Sequence, residues 1–404
     1  MYLKVANDDG SLNAYEIVKE EFVEEKTEGL LGYIGTESKE ANALNILKAY
    51  FSEAKVILFD SSNKAIAEQL EALNVPAFRT GQSTKTIFDK ENFNFIYFTS
   101  GSTGIPIAAL KSKSNLEAEV AVLSALLKKY KIKKVIVTVP FIHLYGTLLG
   151  LMYPLMNDID IVLKEHFLPH ELLSMIEPYS MVVTTPLYIK AMNKLAEKKD
   201  LTHALFISST APLDTPNILN FKQKFEADIM QIFGSTETGG IAYKLNDESL
   251  WKPFNGVEIS VNSNQELRVK SPFVSAVLYE EIFKRINGEV QTFDYIEEEA
   301  SGFRLVGRSA KIFKLAGKRY STIQIEHILE NVQGIVNALV FVEFDKASLR
   351  GELLDITLET DLAFTVNEIK KILKSHLSNL KFSIKLNLVK EIPKNLVGKK
   401  LRIK

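Results

Sequence analysis

Short apolar runs rich in β-branched residues recur through the first 232 residues, at 56–59, 95–98, 135–139, 159–163, 181–184, 205–207 and 229–232. Each is largely continuous rather than alternating, which suits strands covered on both faces, as in a parallel sheet. Between them lie stretches with helical spacing. Leu116, Val120, Leu123 and Leu127 make one apolar face, and Ser114 with Glu117 reads as the capping box that starts it. Further helices are expected at 41–51, 169–177, 187–197 and 216–225. Strand–helix alternation of this kind specifies an α/β fold.

From about residue 250 the pattern changes to apolar–polar alternation, as at 258–261 and 267–270, which suits half-exposed antiparallel strands. After Arg308 comes a lysine-rich segment with helices expected at 323–331 and 366–377, the second opened by a capping box of Thr365 and Glu368. The expectation is a large N-terminal α/β domain, residues 1–308, of mixed, mainly parallel sheets with helices and a small antiparallel sub-barrel. A small α+β domain, residues 309–404, follows it. A length of 404 residues accommodates two such domains.

Lys and Arg total 49 against 50 for Asp and Glu, so there is no general electrostatic pull towards nucleic acid or an anionic membrane. The sequence has no cysteine, which excludes disulfides, thiolate metal sites and a cysteine nucleophile. The N-terminus is too polar for a secretory signal, and the cytoplasm is the expected compartment. Residues 135–157 carry no charge and are long enough to span a bilayer. Pro140, His143, Gly146, Gly150 and Pro154 interrupt them, so the stretch reads as a buried strand, a turn and a buried helix.

Chemistry first shows at Tyr97-Phe98-Thr99-Ser100-Gly101-Ser102-Thr103-Gly104-Ile105-Pro106, where a strand runs straight into hydroxyl residues and glycines. Glycines let backbone N–H groups converge on an anion, and hydroxyls add donors for phosphate oxygens. The same run also suits a plain Ser/Gly surface loop. It is not a Walker loop, since no Gly-Lys-Ser/Thr follows.

The segment resembles the core motif of the adenylate-forming superfamily, Y-T-S-G-S/T-T-G-x-P-K-G. This superfamily includes acyl-CoA synthetases, aryl acid ligases and peptide synthetase adenylation domains. Further motifs follow in the family's order. Phe233-Gly234-Ser235-Thr236-Glu237 resembles Y-G-x-T-E, Thr292-Phe293-Asp294 resembles T-G-D, and Gly307-Arg308 resembles G-R. Ala316-Gly317-Lys318-Arg319-Tyr320, with Glu326 beyond, resembles the glycine segment of the thiol tunnel. Pro393-Lys394-Asn395-Leu396-Val397-Gly398-Lys399 resembles P-K-x-x-x-G-K.

The resemblance implies that Thr99, Ser100, Gly101, Ser102, Thr103 and Gly104 hold the β- and γ-phosphates of ATP, and that Glu237 binds Mg²⁺. It implies that Thr236 bonds the α-phosphate or the acyl carboxylate. Phe233, followed by Gly234, would stack on adenine, with Thr210, Ala211 and Pro212 on its other side. Asp294 would accept both ribose hydroxyls, and Arg308 would steady ribose and phosphate. Lys399, on a mobile lid, would stabilise the charge where the carboxylate attacks phosphorus. Gly317 would line the thiol tunnel. His143, in Pro140-Phe141-Ile142-His143-Leu144-Tyr145-Gly146, matches P-x-x-H-x-x-G, a wall of the acid pocket. A lone histidine in an apolar run also suits a core position. No Asp stands there to pair with an amino acid's ammonium.

The implied function is ATP-dependent activation of a small carboxylic acid, aryl or medium-chain, as its acyl-adenylate. Thioester formation then follows on the phosphopantetheine thiol of CoA or an acyl carrier protein. The departures leave two alternatives: a non-catalytic nucleotide-binding or acyl-AMP-binding homologue, or adenylation with transfer to an amine or hydroxyl. Ile107 replaces the lysine after Pro106, Ala108 the next glycine, Phe293 the glycine of T-G-D, and Ala310 the Asp or Lys of the hinge. Lys111 or Lys113 is expected to supply the charge that Ile107 lacks. Fewer residues precede the Thr99 loop than family members usually carry.

Overall fold

The computed structural model describes residues 1–23, 30–78, 86–100, 106–263, 265–308, 312–315, 318–344, 352–376, 383–394 and 400–401. The chain divides into two compact units, one of residues 1–259 and 269–290, the other of 260–268 and 291–404. Both contain helices and mixed sheets, as the α/β patterning predicts.

The first unit is built on two sheets. In the nine-stranded sheet, Tyr2–Ala6, Asp160–Leu163, Lys134–Val137, Ser180–Thr184, Leu205–Ser208 and Asp228–Ser235 lie side by side in parallel. Antiparallel strands Leu12–Glu16, Gly239–Leu245 and Lys252–Pro253 finish its edges. The apolar runs explain the interior: Ser180–Thr184 is buried at every position, and Phe206, Phe221 and Phe225 pack beneath the sheet with no exposure. The second sheet is six-stranded, ordered Ile282–Arg285, Val277–Glu280, Pro106–Lys111, Phe95–Ser100, Lys55–Leu58, Leu31–Ile34.

The uncharged stretch folds as the strand Lys134–Val137, a turn, and short helices Leu144–Thr147 and Tyr153–Met156 joined by a π turn at Leu148–Met152. Among the described residues no helix is long and apolar enough to cross a membrane. The turn depends on Gly146, where an added Cβ would lie 2.1 Å from the Pro140 carbonyl oxygen. Gly146→Ala is therefore expected to cost about 1–3 kcal/mol. This would be read as a lower urea midpoint at an unchanged slope.

One helix start differs from the expectation. The helix Lys113–Leu127 is capped by Ser112, whose Oγ accepts the Asn115 N–H at 3.2 Å while Asn115 Oδ1 accepts the Ser112 N–H at 3.1 Å. Ser114 exchanges a hydroxyl bond with Ser112, and Glu117 accepts the Tyr50 hydroxyl at 2.7 Å. An asparagine fills the N3 role usually given to Glu or Gln, which hid the box two residues upstream.

In the second unit, strands Asn337–Phe344, Glu352–Glu359 and Ser383–Val389 form a sheet under the helices Thr322–Glu330 and Val366–His376. Ile325, Leu329, Ala338, Ile356, Leu358, Ile369 and Leu373 are its fully buried core. The capping box at Thr365 is as expected: its N–H donates to Glu368 Oε2 at 2.7 Å and its Oγ1 accepts the Glu368 N–H at 3.3 Å. The unit also carries the antiparallel pair Glu289–Glu299 and Gly302–Arg308.

Candidate active site

The strands Phe95–Ser100 and Pro106–Lys111 pair antiparallel in register from Phe95↔Lys111 to Ser100↔Pro106. Thr99 and Ser100 therefore end one strand, and Pro106 and Ile107 begin the next. Gly101, Ser102, Thr103 and Gly104 lie outside the described residues, as do Ala310, Gly317 and Lys399.

Of the two lysines expected to replace the missing one, Lys111 is not available to a phosphate. Lys111 is 1% exposed, and its Nζ donates to the carbonyls of Phe273 at 2.5 Å and Glu237 at 3.3 Å. Lys113 pairs with Glu53 at 2.8 Å over the Tyr50 ring. An apolar strand run buried the first, and the second opens the helix in a surface ion pair. Burial pushes the Lys111 ammonium below its ordinary range and the nearby buried Glu119 carboxyl above its own, each opposing the other's shift.

Parallel pairing of Leu205–Ser208 with Asp228–Ser235 puts the segments that follow them at one end of the large sheet. Ser209 Oγ donates to the Ile232 carbonyl at 2.9 Å, tying the Thr210-Ala211-Pro212 turn to the strand that carries Phe233. Thr210 holds φ at 77°, a left-handed conformation that costs a threonine about 1–3 kcal/mol and gathers at functional turns. The Tyr145 hydroxyl bonds the carbonyls of Thr184 at 3.0 Å and Ile207 at 2.7 Å, holding the His143 segment to the same end of the sheet. His143 is half-buried, and burial holds its imidazole below its usual range while Asp60 pulls the other way.

The strand then turns back on itself. The Ser235 N–H donates to Thr238 Oγ1 at 3.1 Å and the Thr238 N–H to Ser235 Oγ at 3.2 Å, with half-buried Thr236 and Glu237 between them. The turn closes so tightly that a Cβ on Gly234 would lie 2.4 Å from the Gly239 carbonyl oxygen. The Glu237 carbonyl also accepts the Ser275 N–H at 2.9 Å. Phe233 packs on Trp251, ring centres 5.5 Å apart. Sequence reading missed Trp251, although it is the chain's one tryptophan and lies just beyond the strand that pairs with Phe233.

In the second unit Asp294 is 4% exposed, and its N–H donates to Thr292 Oγ1 at 3.1 Å. It lies across the ladder from Arg308. Strand alternation sends the intervening Phe293 to the other face, 57% exposed, so this departure leaves the Asp294 position intact. Glu326 accepts the Val340 N–H at 3.0 Å, a structural task. Lys400 pairs with Glu330 and donates to the Ala338 carbonyl at 2.7 Å, anchoring the chain directly beside Lys399.

Among the described residues no group of three or more His, Cys, Asp or Glu is placed to hold a metal ion. Mg²⁺ is typically held by one or two carboxylates with substrate phosphates, so a single half-buried Glu237 fits an ion carried in by a nucleotide.

The sequence model of the family described as AMP-binding enzyme matches residues 30–273. Over 351 residues the chain is 25% identical to the probable CoA ligase CCL5 of Humulus lupulus, covering 78% of this chain and 63% of that protein. Over 366 residues it is 23% identical to the 3,4-dihydroxybenzoate–[aryl-carrier protein] ligase of Bacillus anthracis, covering 87% and 84%. The chain thus spans less than two-thirds of the hop protein's length and most of the bacterial one. O-succinylbenzoate CoA synthetase (MenE) from Bacillus subtilis, solved with ATP and magnesium, shares the fold. Its TM-score is 0.82 at 15% identity, over 99% of this chain and 96% of that one.

Proposed function

This chain belongs to the AMP-binding enzyme family, and from that premise we propose that it joins a carboxylic acid to AMP and passes the acyl group to a thiol. The observation that carries the reading is the turn at Ser235–Thr238. It presents Thr236 and Glu237 at the same sheet end as Phe233, the strained Thr210 turn and the His143 segment.

In the first half-reaction a carboxylate oxygen attacks the α-phosphorus of ATP. The bond to the bridging oxygen breaks, and pyrophosphate leaves with that electron pair. Magnesium, when bound, neutralises charge on the phosphates, with Glu237 as its protein ligand. Residues Thr99 to Gly104 hold the β- and γ-phosphates. Phe233, backed by Trp251, and the Thr210–Pro212 backbone enclose the adenine, and Thr236 bonds the reacting oxygens. Asp294 accepts the ribose hydroxyls, Arg308 steadies the ribose, and Lys399 offsets the charge that builds at phosphorus. Holding both reactants in line supplies much of the rate. In the second half-reaction a thiol gives up its proton and its sulfur attacks the acyl carbonyl, expelling AMP. Gly317 lines the thiol's approach, and the lid, residues 309–404, turns about Ala310 between the two steps.

The acid is aryl or medium-chain, with His143 in the pocket wall. Both an aryl-carrier protein ligase and a CoA ligase lie among the relatives. The greater share of the carrier-protein ligase that is matched favours a carrier phosphopantetheine as acceptor, with CoA the alternative. The compartment is the cytoplasm.

Asp294→Asn is expected to raise the KM for ATP about tenfold with a smaller effect on kcat, because it weakens charge-assisted bonds made equally before and during reaction. Initial rates against ATP concentration check this. The thioester step is tested by acid-dependent AMP release with CoA, with a phosphopantetheinylated carrier, and with hydroxylamine. A thiol that accelerates release supports the reading. Acceleration by the amine alone would replace it with amide-type transfer.

A further inference from the structure

Lys111 stands at the end of an otherwise apolar strand, and Asn115 and Glu119 follow at four-residue intervals, on one face of the next helix. All three reach out of their own elements to backbone distant in sequence, at residues 237–240 and 272–274. Lys111 Nζ donates to the carbonyls of Phe273 and Glu237. Asn115 Nδ2 donates to the carbonyls of Pro272 at 2.7 Å and Val274 at 3.2 Å. Glu119 Oε1 accepts the Gly240 N–H at 2.7 Å, and its carboxylate lies flush against two glycines. An added Cβ on Gly239 would come within 2.6 Å of Oε2, and one on Gly240 within 2.9 Å of Oε1.

We infer that Lys111, Asn115 and Glu119 form a brace that positions the turn carrying Glu237 at the end of its strand. Each is a positioning residue for the nucleotide's metal and phosphates. This rests on the proposed function of the site. The grip falls on the Glu237 carbonyl, which also takes the Ser275 N–H, and on the amide of Gly240 three residues on. The strand that ends in Lys111 is the second half of the hairpin whose first strand runs into the 99–104 loop.

Stability alone gives little reason for such a device. Burying an ammonium and a carboxylate usually gains nothing over apolar residues of similar volume. Their value lies in direction: a lysine at 111 reaches two carbonyls that a methionine leaves unpaired.

The test compares wild type with Lys111→Met, Lys111→Arg and the double variant Lys111→Met/Glu119→Gln. Two readouts are used: the thermal midpoint, and Mn²⁺ affinity with ATP present, measured by electron paramagnetic resonance. The double variant leaves no uncompensated buried charge and is expected to melt above Lys111→Met alone. It should nonetheless bind Mn²⁺·ATP about tenfold more weakly, because the Glu237 carboxylate is no longer held in place. Lys111→Arg, which keeps the donors, should recover part of that loss, and the KM for the acid should not move. A double variant that melts like wild type and binds Mn²⁺·ATP equally tightly would reduce the brace to a packing device and overturn the inference. Wild type that binds no Mn²⁺·ATP would overturn the reading of the site itself, and the brace with it.

Discussion

Lys399→Ala should lower acid-dependent ATP–pyrophosphate exchange by about 10²–10³-fold, the usual cost of removing one preorganised charge from a developing oxyanion. The chain next to it is fixed independently: Lys400 is held by Glu330 and the Ala338 carbonyl. The substitution leaves that anchor of the chain in place, and the thermal midpoint measured alongside is expected to stay near wild type. The loss should fall on kcat, because the charge that Lys399 meets is greatest in the transition state. Thioester formation from supplied acyl-AMP involves no attack on phosphorus and should survive. Loss of both half-reactions together would point to a folding defect or a different role.

Glu237→Gln should reduce exchange by about 10²-fold at a magnesium concentration that saturates wild type, by weakening an electrostatic clamp on the phosphates. Glutamine keeps the size of the side chain, and the Ser235–Thr238 turn is held by hydroxyls and backbone rather than by the carboxylate. The Ser275 N–H and Lys111 Nζ bond the carbonyl of residue 237, which the substitution preserves. A magnesium titration separates the explanations. A half-saturation point raised about tenfold, with partial recovery at high magnesium, identifies a metal ligand. An unchanged half-saturation point with the same loss of rate excludes that role.

Much of the fold was legible because its strands are buried on both faces. A run such as 181–184 announces itself without any alternation to decode, and Ser180–Thr184 is buried at every position. The break at Pro140 and Gly146 was equally plain, since a proline and a glycine constrain the backbone wherever they occur. The motifs pick out the Thr236–Glu237 turn and the Asp294 strand, and their departure at Phe293 falls on the exposed face because neighbours on a strand face opposite ways.

Long-range pairing was not legible. Lys111 bonds residues 126 and 162 positions away, and nothing in its neighbourhood in sequence distinguishes a buried lysine from a solvated one. Its burial reverses the expectation that it serves a phosphate. The helix cap at Ser112 was missed for a smaller reason: asparagine at N3 makes the same reciprocal bond as glutamate but lies outside the usual pattern.

The most direct test of acid activation is ATP–pyrophosphate exchange measured with aryl, short-chain and medium-chain acids in parallel. Exchange that depends on an aryl or a medium-chain acid is the expected result. ATP bound at the site with no exchange for any acid would contradict it and make the chain a nucleotide-binding protein without turnover.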